Sequence, residues 1–517
     1  MDRKRSKAKT SINRRHFIGG LAGLTAAPAI ITGVEARTQI ADGIAAGDVT
    51  SNSAVIWGRA NKSAKMLVEW STTPKFGKAQ RVAGPLVTAR SGYTGQVSIT
   101  GLPPGQEIFY RVRFGDSNGA ETRLGHLRTS TPNRDVTFVF GGDQCGAGWG
   151  INHEWGGLKM FETMRQTRPD FLIHLGDRIY ADGIILEKAT TPDGSGWKNI
   201  VTAAKSGVAE KIDEYRGNYS YNFLDTHYRK FCEEVPALTT WDDHEVTNDW
   251  WPGRKLSRRV MFRKGYIQSN VNSLAKNGRQ AFFEFTPMQR HPTDPNRIFR
   301  KVSYGDKVDV FLLDSRSYRS HNNRNRQKQP GSDTALLGRI QIDWLKASLA
   351  QSKALWKIIA NPLPIAHEKK KQRPRYDKFA NSDDGPPLGR EHEIAEILYH
   401  IKQHAITNAV WMSADVHYSA AHHFHPDRAA FREFEPFWEF ISGPFHTRPG
   451  RIIHYDKTFG AQRHYRTPRA PKGNNPPSAG YLYFGHGRID AKTGALTVGI
   501  RDLSGQSLYE KTIEAKR

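Results

Sequence analysis

From residue 135 onward, short apolar strands alternate with amphipathic helices, and each of six strands is followed by polar residues able to bind a metal. This alternation predicts an α/β fold with stacked layers. In such sheets ligands bind beyond the carboxyl ends of the strands, so we expect these polar residues to meet in one cleft. The six segments are Gly141-Gly142-Asp143-Gln144-Cys145, Gly176-Asp177-Arg178-Ile179-Tyr180, Asp242-Asp243-His244-Glu245, Asp314-Ser315-Arg316, Asn361 and Ala414-Asp415-Val416-His417.

The carboxylates of this series indicate the chemistry of the cleft. Four of them are Asp143, Asp177, Asp243 and Asp415. Without cations, four such charges in one cleft would repel and raise one another's pKa values. Two or more metal ions would remove the repulsion, and a pair of ions about 3.5–4 Å apart is the arrangement that displaces phosphoesters. For any single aspartate, a loop cap or a surface charge is the alternative interpretation.

The ligand types distinguish two metal positions. Tyr180 follows Asp177 by three residues and could bind one ion as a phenolate, which favours Fe(III). Asp177 is the natural carboxylate to bridge two ions. The other ion would take oxygen ligands, which suit calcium, manganese or magnesium better than zinc. Its predicted ligands are Asp177, Asp243, Asn361 and Asp415.

Three further side chains have predicted roles in a reaction at these ions. His244 is the candidate general acid for a leaving alkoxide. It could instead orient a neighbouring carboxylate. Arg178 and Arg316 could each bind phosphate oxygens through a planar guanidinium group, or form a structural ion pair.

The chain begins with two segments of different character. Residues 1–36 combine basic residues, Arg14-Arg15 and an uncharged apolar stretch with small residues before Ala36, which predicts a twin-arginine signal peptide. A basic N-terminal helix is the alternative. Residues 40–130 contain short β-rich runs separated by Pro/Gly turns, which predict an all-β sandwich of immunoglobulin or fibronectin type. Residues 135–517 would then form the catalytic domain.

Export through the twin-arginine machinery would place the protein in the periplasm or outside the cell. After residue 36 no apolar run approaches the ~18 residues of a membrane span, so we expect no transmembrane segment in the mature chain. Two cysteines exclude a disulfide scaffold or a Cys-rich zinc fold. The net charge of +25 favours an anionic ligand, a polyanion or a membrane surface.

Three basic segments contribute to this charge, and they are interpreted as solvated loops or as a positive rim that attracts phosphorylated substrates. They are Arg254–Lys264, Arg319–Lys328 and Lys369–Arg375.

Several of these motifs resemble those of a known family. Gly176-Asp177-Arg178-Ile179-Tyr180 resembles the GDxxY motif of purple acid phosphatases. Asp242-Asp243-His244-Glu245 and Ala414-Asp415-Val416-His417 occupy the places of the GNHE and GHxH motifs of metallophosphoesterases. In order and spacing, and together with Leu313–Arg319 and Gly43–Asp48, the chain is similar to the alkaline phosphatase D (PhoD) family of the metallophosphoesterase superfamily. The resemblance spans nearly the whole chain.

The resemblance implies a four-layer metallophosphoesterase-type sandwich preceded by the all-β domain. It implies one Fe(III) and calcium, acting through a metal-bound hydroxide on phosphate monoesters, diesters or both, outside the cytoplasm. The implied iron ligands are Asp177, Tyr180, the residue after the first strand, and His417 or Asp415. Asn248 matches a family asparagine of the calcium side, although a helix or turn cap is equally compatible with its position.

The chain departs from the family after the first strand. The family commonly has Ser-Cys-Gln there, whereas this chain has Gly142-Asp143-Gln144, so Asp143 stands where the cysteine ligand would be. Asp143 is the predicted ligand, and Cys145 is the alternative. Small phosphoesters are the expected substrates, with no specific nucleic-acid partner. The rival hypotheses are a phospholipase D-like or phosphotriesterase activity on the same scaffold, and a non-catalytic periplasmic protein that binds phosphate or a polyanion.

Overall fold

Within residues 37–115, 121–368, 376–450 and 454–516, which the computed structural model describes, two β-sheets of nine and seven strands pack face to face. The predicted signal peptide and the basic segment Lys369–Arg375 lie outside the described residues. The helices are α1 (Lys159–Gln166), α2 (Ile212–Asn222), α3 (Thr226–Glu234), α4 (Arg258–Lys264), α5 (Val271–Phe285), α6 (Arg339–Gln351) and α7 (Glu391–Gln403). None of these described helices is long and apolar enough to cross a lipid bilayer.

The strands of the first half of the chain are β1 (Ile40–Gly47), β2 (Ser53–Ala60), β3 (Ala64–Ser71), β4 (Gln80–Val87), β5 (Thr94–Thr100), β6 (Glu107–Phe114), β7 (Arg123–Arg128), β8 (Val136–Gly141), β9 (Phe171–Leu175), β10 (Lys188–Ala189), β11 (Trp197–Lys198) and β12 (Ala237–Thr240). Those of the second half are β13 (Arg300–Tyr304), β14 (Val308–Leu312), β15 (Trp356–Ala360), β16 (His367–Glu368), β17 (Ala409–Ser413), β18 (Ala420–Phe424), β19 (Phe437–Ile441), β20 (His454–Tyr455), β21 (Ala461–Arg466), β22 (Tyr483–Ile489), β23 (Leu496–Asp502) and β24 (Ser507–Ile513).

Parallel strands occupy the middle of both large sheets. The first sheet has the order β24-β23-β22-β8-β9-β12-β1-β2-β5, and β8, β9 and β12 run parallel. The second has the order β13-β14-β15-β17-β19-β18-β21, and β14, β15, β17 and β19 run parallel. The carboxyl ends of parallel neighbours lie at the same edge of a sheet, so the loops after β8, β9 and β12, and those after β14, β15 and β17, are brought together.

The main apolar core lies between the two sheets. Phe138 and Phe140 of β8 are fully buried in it, together with Val310 of β14 and Ile358 of β15. The intervening Val139 points to the opposite face and belongs to a different apolar cluster. The central strands are therefore covered on both faces, which explains why they read as continuous apolar runs in the sequence.

Helices cover the outer face of each sheet. Phe161 of α1, Tyr228 of α3 and Phe282 of α5 pack in the cluster that contains Val139. On the second sheet, α6 and α7 contribute leucine and isoleucine side chains to a separate cluster with Phe311. The resulting order of helix, sheet, sheet and helix confirms the predicted four-layer α/β class.

The N-terminal region is all-β, as predicted, and forms two sheets. Strands β3, β4, β6 and β7 make a four-stranded sheet, whereas β1, β2 and β5 join the first large sheet. The junction is a parallel pairing of Gly47 in β1 with Ala237 in β12. The indole of Trp57 also donates to the Glu284 carbonyl at 2.7 Å. The described residues from Thr38 onward form one compact unit. The predicted domain bounds, 40–130 and 135–517, stay a prediction.

Helix α4 is absent from the sequence-based prediction, which interprets Arg254–Lys264 as a loop. The Ser257 hydroxyl accepts a hydrogen bond from the Val260 N–H at 3.3 Å and begins the helix. Gly265, at φ 85°, ends it in the left-handed conformation that favours glycine. Seven residues are too few for a helical period to be recognised in the sequence, so the caps were the available signal.

Candidate metal centre

Several residues of the strand-ending loops have a left-handed backbone, and four of them are predicted metal ligands. They are Asp143 (φ 69°), Asp177 (φ 54°), Asp415 (φ 62°) and His417 (φ 56°). This conformation costs roughly 1–2 kcal/mol for a residue other than glycine. Strain of this kind concentrates at functional sites, where the surrounding structure holds it in place.

Gly176 allows the loops after β9 and β12 to touch. Its φ of 99° is favourable for glycine, and a Cβ atom there would lie 2.5 Å from the Cβ of Asp242. Any side chain at position 176 would therefore separate Asp177 from the Asp242-Asp243 pair.

Two overlapping sets of ligand atoms result from this approach. The ligand atoms of Asp143, Asp177 and His417 all lie within 4.8 Å of one another. Those of Asp177, Asp243 and His244 satisfy the same limit. Asp177 belongs to both sets, so its carboxylate lies between Asp143 and Asp243.

Asp243 also belongs to two further sets. One contains Asp242 and Asp415, and the other contains Asp249 and Asp377. Asp242, Asp249 and Asp377 are not among the ligands predicted from the sequence. Asp242 stands inside a recognised motif and could have been found, whereas Asp377 precedes no motif and follows no predicted strand.

Some of the buried oxygens at this edge lack hydrogen-bond donors among the described residues. Both carboxylate oxygens of Asp143, one of Asp242, one of Asp243 and the amide oxygen of Asn361 are buried without such a partner. Burial, and next the charge of Asp415, raises the pKa of Asp143 well above its usual value. Unpaired buried oxygens are costly, and bound cations would satisfy them. The donor set therefore fits hard metal ions.

Tyr180 and His417 meet at one edge of the first set. The Tyr180 hydroxyl lies 2.9 Å from His417 Nε2, and the Arg448 carbonyl lies 2.9 Å from His417 Nδ1. Because a carbonyl accepts, Nδ1 carries the hydrogen and Nε2 presents a lone pair. Burial lowers the pKa of His417 to about 3, which keeps the imidazole neutral as a ligand must be. A phenolic oxygen and an imidazole nitrogen are thus adjacent to Asp143 and Asp177.

Cys145 lies elsewhere. Its side chain is 1% exposed and packs in the apolar cluster with Ile151 and Ile185. Burial raises the pKa of its thiol to about 12, and it belongs to none of the ligand sets formed by the described residues. The structure therefore brings Asp143, and not Cys145, to Asp177 and His417.

His244 is held by a buried acid–base chain. Its Nδ1 lies 2.6 Å from Asp182 Oδ1, and its Nε2 lies 3.9 Å from Asp243 Oδ1. The Lys264 ammonium donates to the other Asp182 oxygen at 2.5 Å. Burial would lower the pKa of His244, but the Asp182 carboxylate opposes it and the pKa rises to about 9. Asp182 therefore favours the protonated imidazole, and His244 directs Nε2 towards Asp243.

The two predicted arginines differ in their surroundings. The Arg178 guanidinium is buried and donates to the Tyr228 hydroxyl at 2.9 Å and to the Phe285 carbonyl at 3.0 Å. These contacts correspond to its alternative, structural role. Arg316 is fully buried and donates to Asp242 at 2.6 Å, with Asp243 at 3.8 Å. Arg316 therefore lies beside Asp242 and Asp243 and compensates part of their negative charge.

The two predicted asparagines also differ. Asn361 is fully buried, and its amide nitrogen donates to the Leu363 carbonyl at 2.5 Å, which leaves its oxygen for a ligand role. Asn248 is exposed, and its main-chain N–H donates to Asp182 at 3.0 Å. The ligand role of Asn248 stays a prediction.

Three residues that support the site have no separate role in the sequence analysis. They are Asp182, Glu245 and Lys378. Glu245 accepts backbone N–H groups of Arg178 at 2.7 Å and of Asp242 at 2.9 Å, so it joins the loops after β9 and β12. Lys378 is buried and forms an ion pair with Asp415. These partners come from distant parts of the chain, and no sequence signal connects them.

Comparison with known proteins shows which family the chain resembles. The family model of PhoD-like phosphatases matches residues 139–500, and the model of their N-terminal domain matches residues 25–131. Alkaline phosphatase D of Bacillus subtilis (strain 168) is 25% identical over an alignment of 461 residues, and the match covers 82% of this chain and 74% of that protein.

Two solved structures have similar folds. A structure of PhoD has a TM-score of 0.66 and 19% identity, and the match covers 92% of this chain and 89% of that chain. The purple acid phosphatase PPD1 from yellow lupin (Lupinus luteus) seeds has a TM-score of 0.58 and 14% identity, with 91% and 73% covered. These matches confirm the predicted fold class and the resemblance inferred from the motifs.

Proposed function

The chain belongs to the PhoD-like phosphatase family, and on that premise we propose that it hydrolyses phosphoesters at metal ions held around Asp177 and Asp243. Membership makes it a hydrolase of the phosphatase class. The observation that carries the proposal is the overlap of ligand sets at these two aspartates, together with buried oxygens that have no hydrogen-bond donor among the described residues.

One position would take Fe(III) and the other calcium, with manganese or magnesium as alternatives. Asp143, Asp177, Tyr180 and His417 would hold the iron, because a phenolate and a carboxylate favour a hard trivalent ion. Oxygen ligands would hold the second ion, and they are Asp177, Asp242, Asp243, Asn361 and Asp415. Ions bound there supply Lewis acidity and lower the pKa of a water molecule towards neutrality.

The chain's own residues would protonate the leaving group and hold the ligand-bearing loops in position. Asp182 raises the pKa of His244 to about 9 and its Nε2 points towards Asp243, so it would donate a proton to the leaving alkoxide. Asp182 holds the imidazole from the other side. Arg316 and Glu245 hold the loop that carries Asp242 and Asp243.

Phosphate monoesters and diesters are the proposed substrates. Elemental analysis of the purified full chain, with parallel assays on p-nitrophenyl phosphate and bis-p-nitrophenyl phosphate, tests both parts of the proposal. We expect iron and calcium, a visible phenolate-to-iron absorption band, and turnover of at least one substrate. A colourless protein that contains zinc as its only metal would contradict the iron assignment.

A matched pair of tyrosine variants sharpens the experiment. Tyr180→Phe should abolish the absorption band, because its phenolic oxygen would be the source of the charge-transfer transition. Tyr219→Phe is the control, since the Tyr219 hydroxyl is buried without a hydrogen-bond partner among the described residues and its ring stacks on Phe285, whereas the Tyr180 ring stacks on His244. Retention of the band in Tyr180→Phe would exclude Tyr180 as a ligand.

We further propose that the protein is exported to the periplasm or secreted through the twin-arginine pathway. Support comes from the Arg14-Arg15 pair and the uncharged apolar stretch that follows it. Replacing Arg14 and Arg15 with lysine should retain the chain in the cytoplasm, as measured by cell fractionation. Unchanged export of that variant would refute the proposed route.

A further inference from the structure

Residues 254–268, here called the α4 segment, expose two large apolar side chains. Phe262 is 92% exposed and Ile267 is 87% exposed, more than any other large apolar side chain in the described ranges. Phe262 lies on helix α4, and Ile267 follows the helix by three residues. Isolated exposed apolar residues are common on protein surfaces, but two nearly complete exposures within six positions are not.

The exposure is imposed by an ordered backbone. Leu256 and Tyr266, at either end of the helix, are each 5% exposed and pack into the apolar cluster under the first sheet. The Leu256 N–H donates to the Ser269 carbonyl at 2.8 Å, next to a bridge between Lys255 and Asn270. The segment is thus closed at its base, and its fixed course directs Phe262 and Ile267 outward.

The segment is strongly basic. It contains no Asp or Glu and six basic residues, which are Arg254, Lys255, Arg258, Arg259, Arg263 and Lys264. Arg254 donates to the Asn248 carbonyl at 2.6 Å, and Lys264 pairs with Asp182. The remaining four are exposed, and the described part of the chain offers them no carboxylate at ion-pair distance.

We propose that the α4 segment binds an anionic lipid surface, with Phe262 and Ile267 inserted below the headgroups and the exposed cations against lipid phosphates. Aromatic and aliphatic side chains surrounded by Lys and Arg are the composition of interfacial membrane-binding segments. Each Lys or Arg near an anionic bilayer contributes about 1 kcal/mol. A soluble polyanion would be held by the cations alone and would leave the two apolar side chains in water, so the lipid surface fits the segment better.

The segment is connected to the metal centre. Lys264, its last helical residue, holds Asp182, and Asp182 holds His244. A membrane in contact with Phe262 would therefore lie close to the cleft. The binding does not depend on the proposed phosphoesterase activity, because it is measured without substrate.

Vesicle co-sedimentation with the full chain tests the apolar contribution. Vesicles of equal parts phosphatidylglycerol and phosphatidylcholine should bind the protein, and pure phosphatidylcholine should bind it much more weakly. The double variant Phe262→Ser/Ile267→Ser should reduce the partition coefficient about tenfold or more, since two large apolar side chains no longer leave water. The control Leu86→Ser/Ile340→Ser removes side chains that are 63% and 68% exposed elsewhere, and should bind like the parent.

A second pair of variants tests the charges. Arg258→Gln/Arg259→Gln should weaken binding to the anionic vesicles about 25-fold, because each of the two lost charges accounts for about fivefold. Lys75→Gln/Lys78→Gln removes two exposed charges from the N-terminal region and should change binding by less than about twofold. The proposal is overturned if the parent does not bind anionic vesicles. It is also overturned if the Phe262/Ile267 variant binds as tightly as the parent, or if polyphosphate binds the parent and vesicles do not.

Discussion

Replacing Asp143 with asparagine should stabilise the metal-free protein and destabilise the metal-loaded protein relative to the parent. The substitution keeps the shape of the side chain and removes one negative charge. Asp143 is 1% exposed, and both of its carboxylate oxygens lack a hydrogen-bond donor among the described residues. A carboxylate in this environment is unfavourable unless a cation neutralises it.

The size of the effect follows from the geometry. A ligand oxygen of Asp143 lies within 4.8 Å of one on Asp177. At an effective dielectric constant of about 20, two unit charges at that distance repel by about 3.5 kcal/mol. Partial protonation of the two carboxylates reduces this repulsion. We therefore expect the free energy of unfolding of the metal-free variant to exceed that of the metal-free parent by about 1–3 kcal/mol. The parent should gain about 2.7 kcal/mol from metal at 100 times its Kd, and the variant much less.

Urea unfolding of chelator-treated and metal-loaded samples measures both quantities, and elemental analysis measures the metal retained. Cys145→Ala is the control, because Cys145 is buried in an apolar cluster. Truncating it should cost about 1–2 kcal/mol in both states, with metal content and phosphatase activity kept. Asp143→Asn should lose metal and most of the activity.

An equal destabilisation of Asp143→Asn with and without metal would refute this reasoning, because it would make Asp143 a structural residue. If Cys145→Ala lost the metal while Asp143→Asn retained it, the thiol would replace the carboxylate in the site.

Three other predictions concern the acid–base chain, a buried histidine and calcium. Asp182→Asn should lower kcat for an alkyl phosphate about tenfold, with little change for p-nitrophenyl phosphate. The reason is that only the poorer leaving group, the alkoxide, needs the proton of His244. Equal decreases in kcat for both substrates would contradict the role of His244 as general acid. Burial lowers the pKa of His174 to about 3 from about 6.5 in the unfolded chain, so stability is lost as pH falls below 6.5. Between pH 7 and pH 5, the free energy of unfolding measured with urea should fall by about 2 kcal/mol more in the parent than in His174→Gln. Equal decreases in the two proteins would exclude His174 as the cause. Calcium should restore the activity of chelator-treated enzyme better than zinc, whereas full activity in the metal-depleted state would exclude a metal mechanism.

The layered fold could be predicted from the sequence to a large extent. The apolar strands and the amphipathic helices such as α7 are recognisable because their patterns are local. The β-rich N-terminal region is recognisable for the same reason. Its continuity with the first large sheet depends on the pairing of Gly47 with Ala237, which are 190 positions apart and share no local pattern.

The candidate site could be predicted in part. Metal-competent residues after parallel strands were expected to meet, and Asp143, Asp177 and Asp243 are found in shared ligand sets. The buried ion pair of Lys378 with Asp415 could not have been expected, since neither residue signals the other. Arg178 follows a ligand in the chain but is held on the helix side of the sheet.

The sequence by itself determined which donor types the chain brings to the ends of its strands, because strand formation and ligand chemistry depend on neighbouring residues. Only the tertiary structure decided which donors share a position. Asp143 and Cys145 are two residues apart, yet loop packing places one among the carboxylates and the other in an apolar cluster. The same long-range packing buries Leu256 and Tyr266 and leaves Phe262 in solvent, although all three are apolar or aromatic. Burial is a property of what a side chain meets in space, and that depends on contacts between distant parts of the chain.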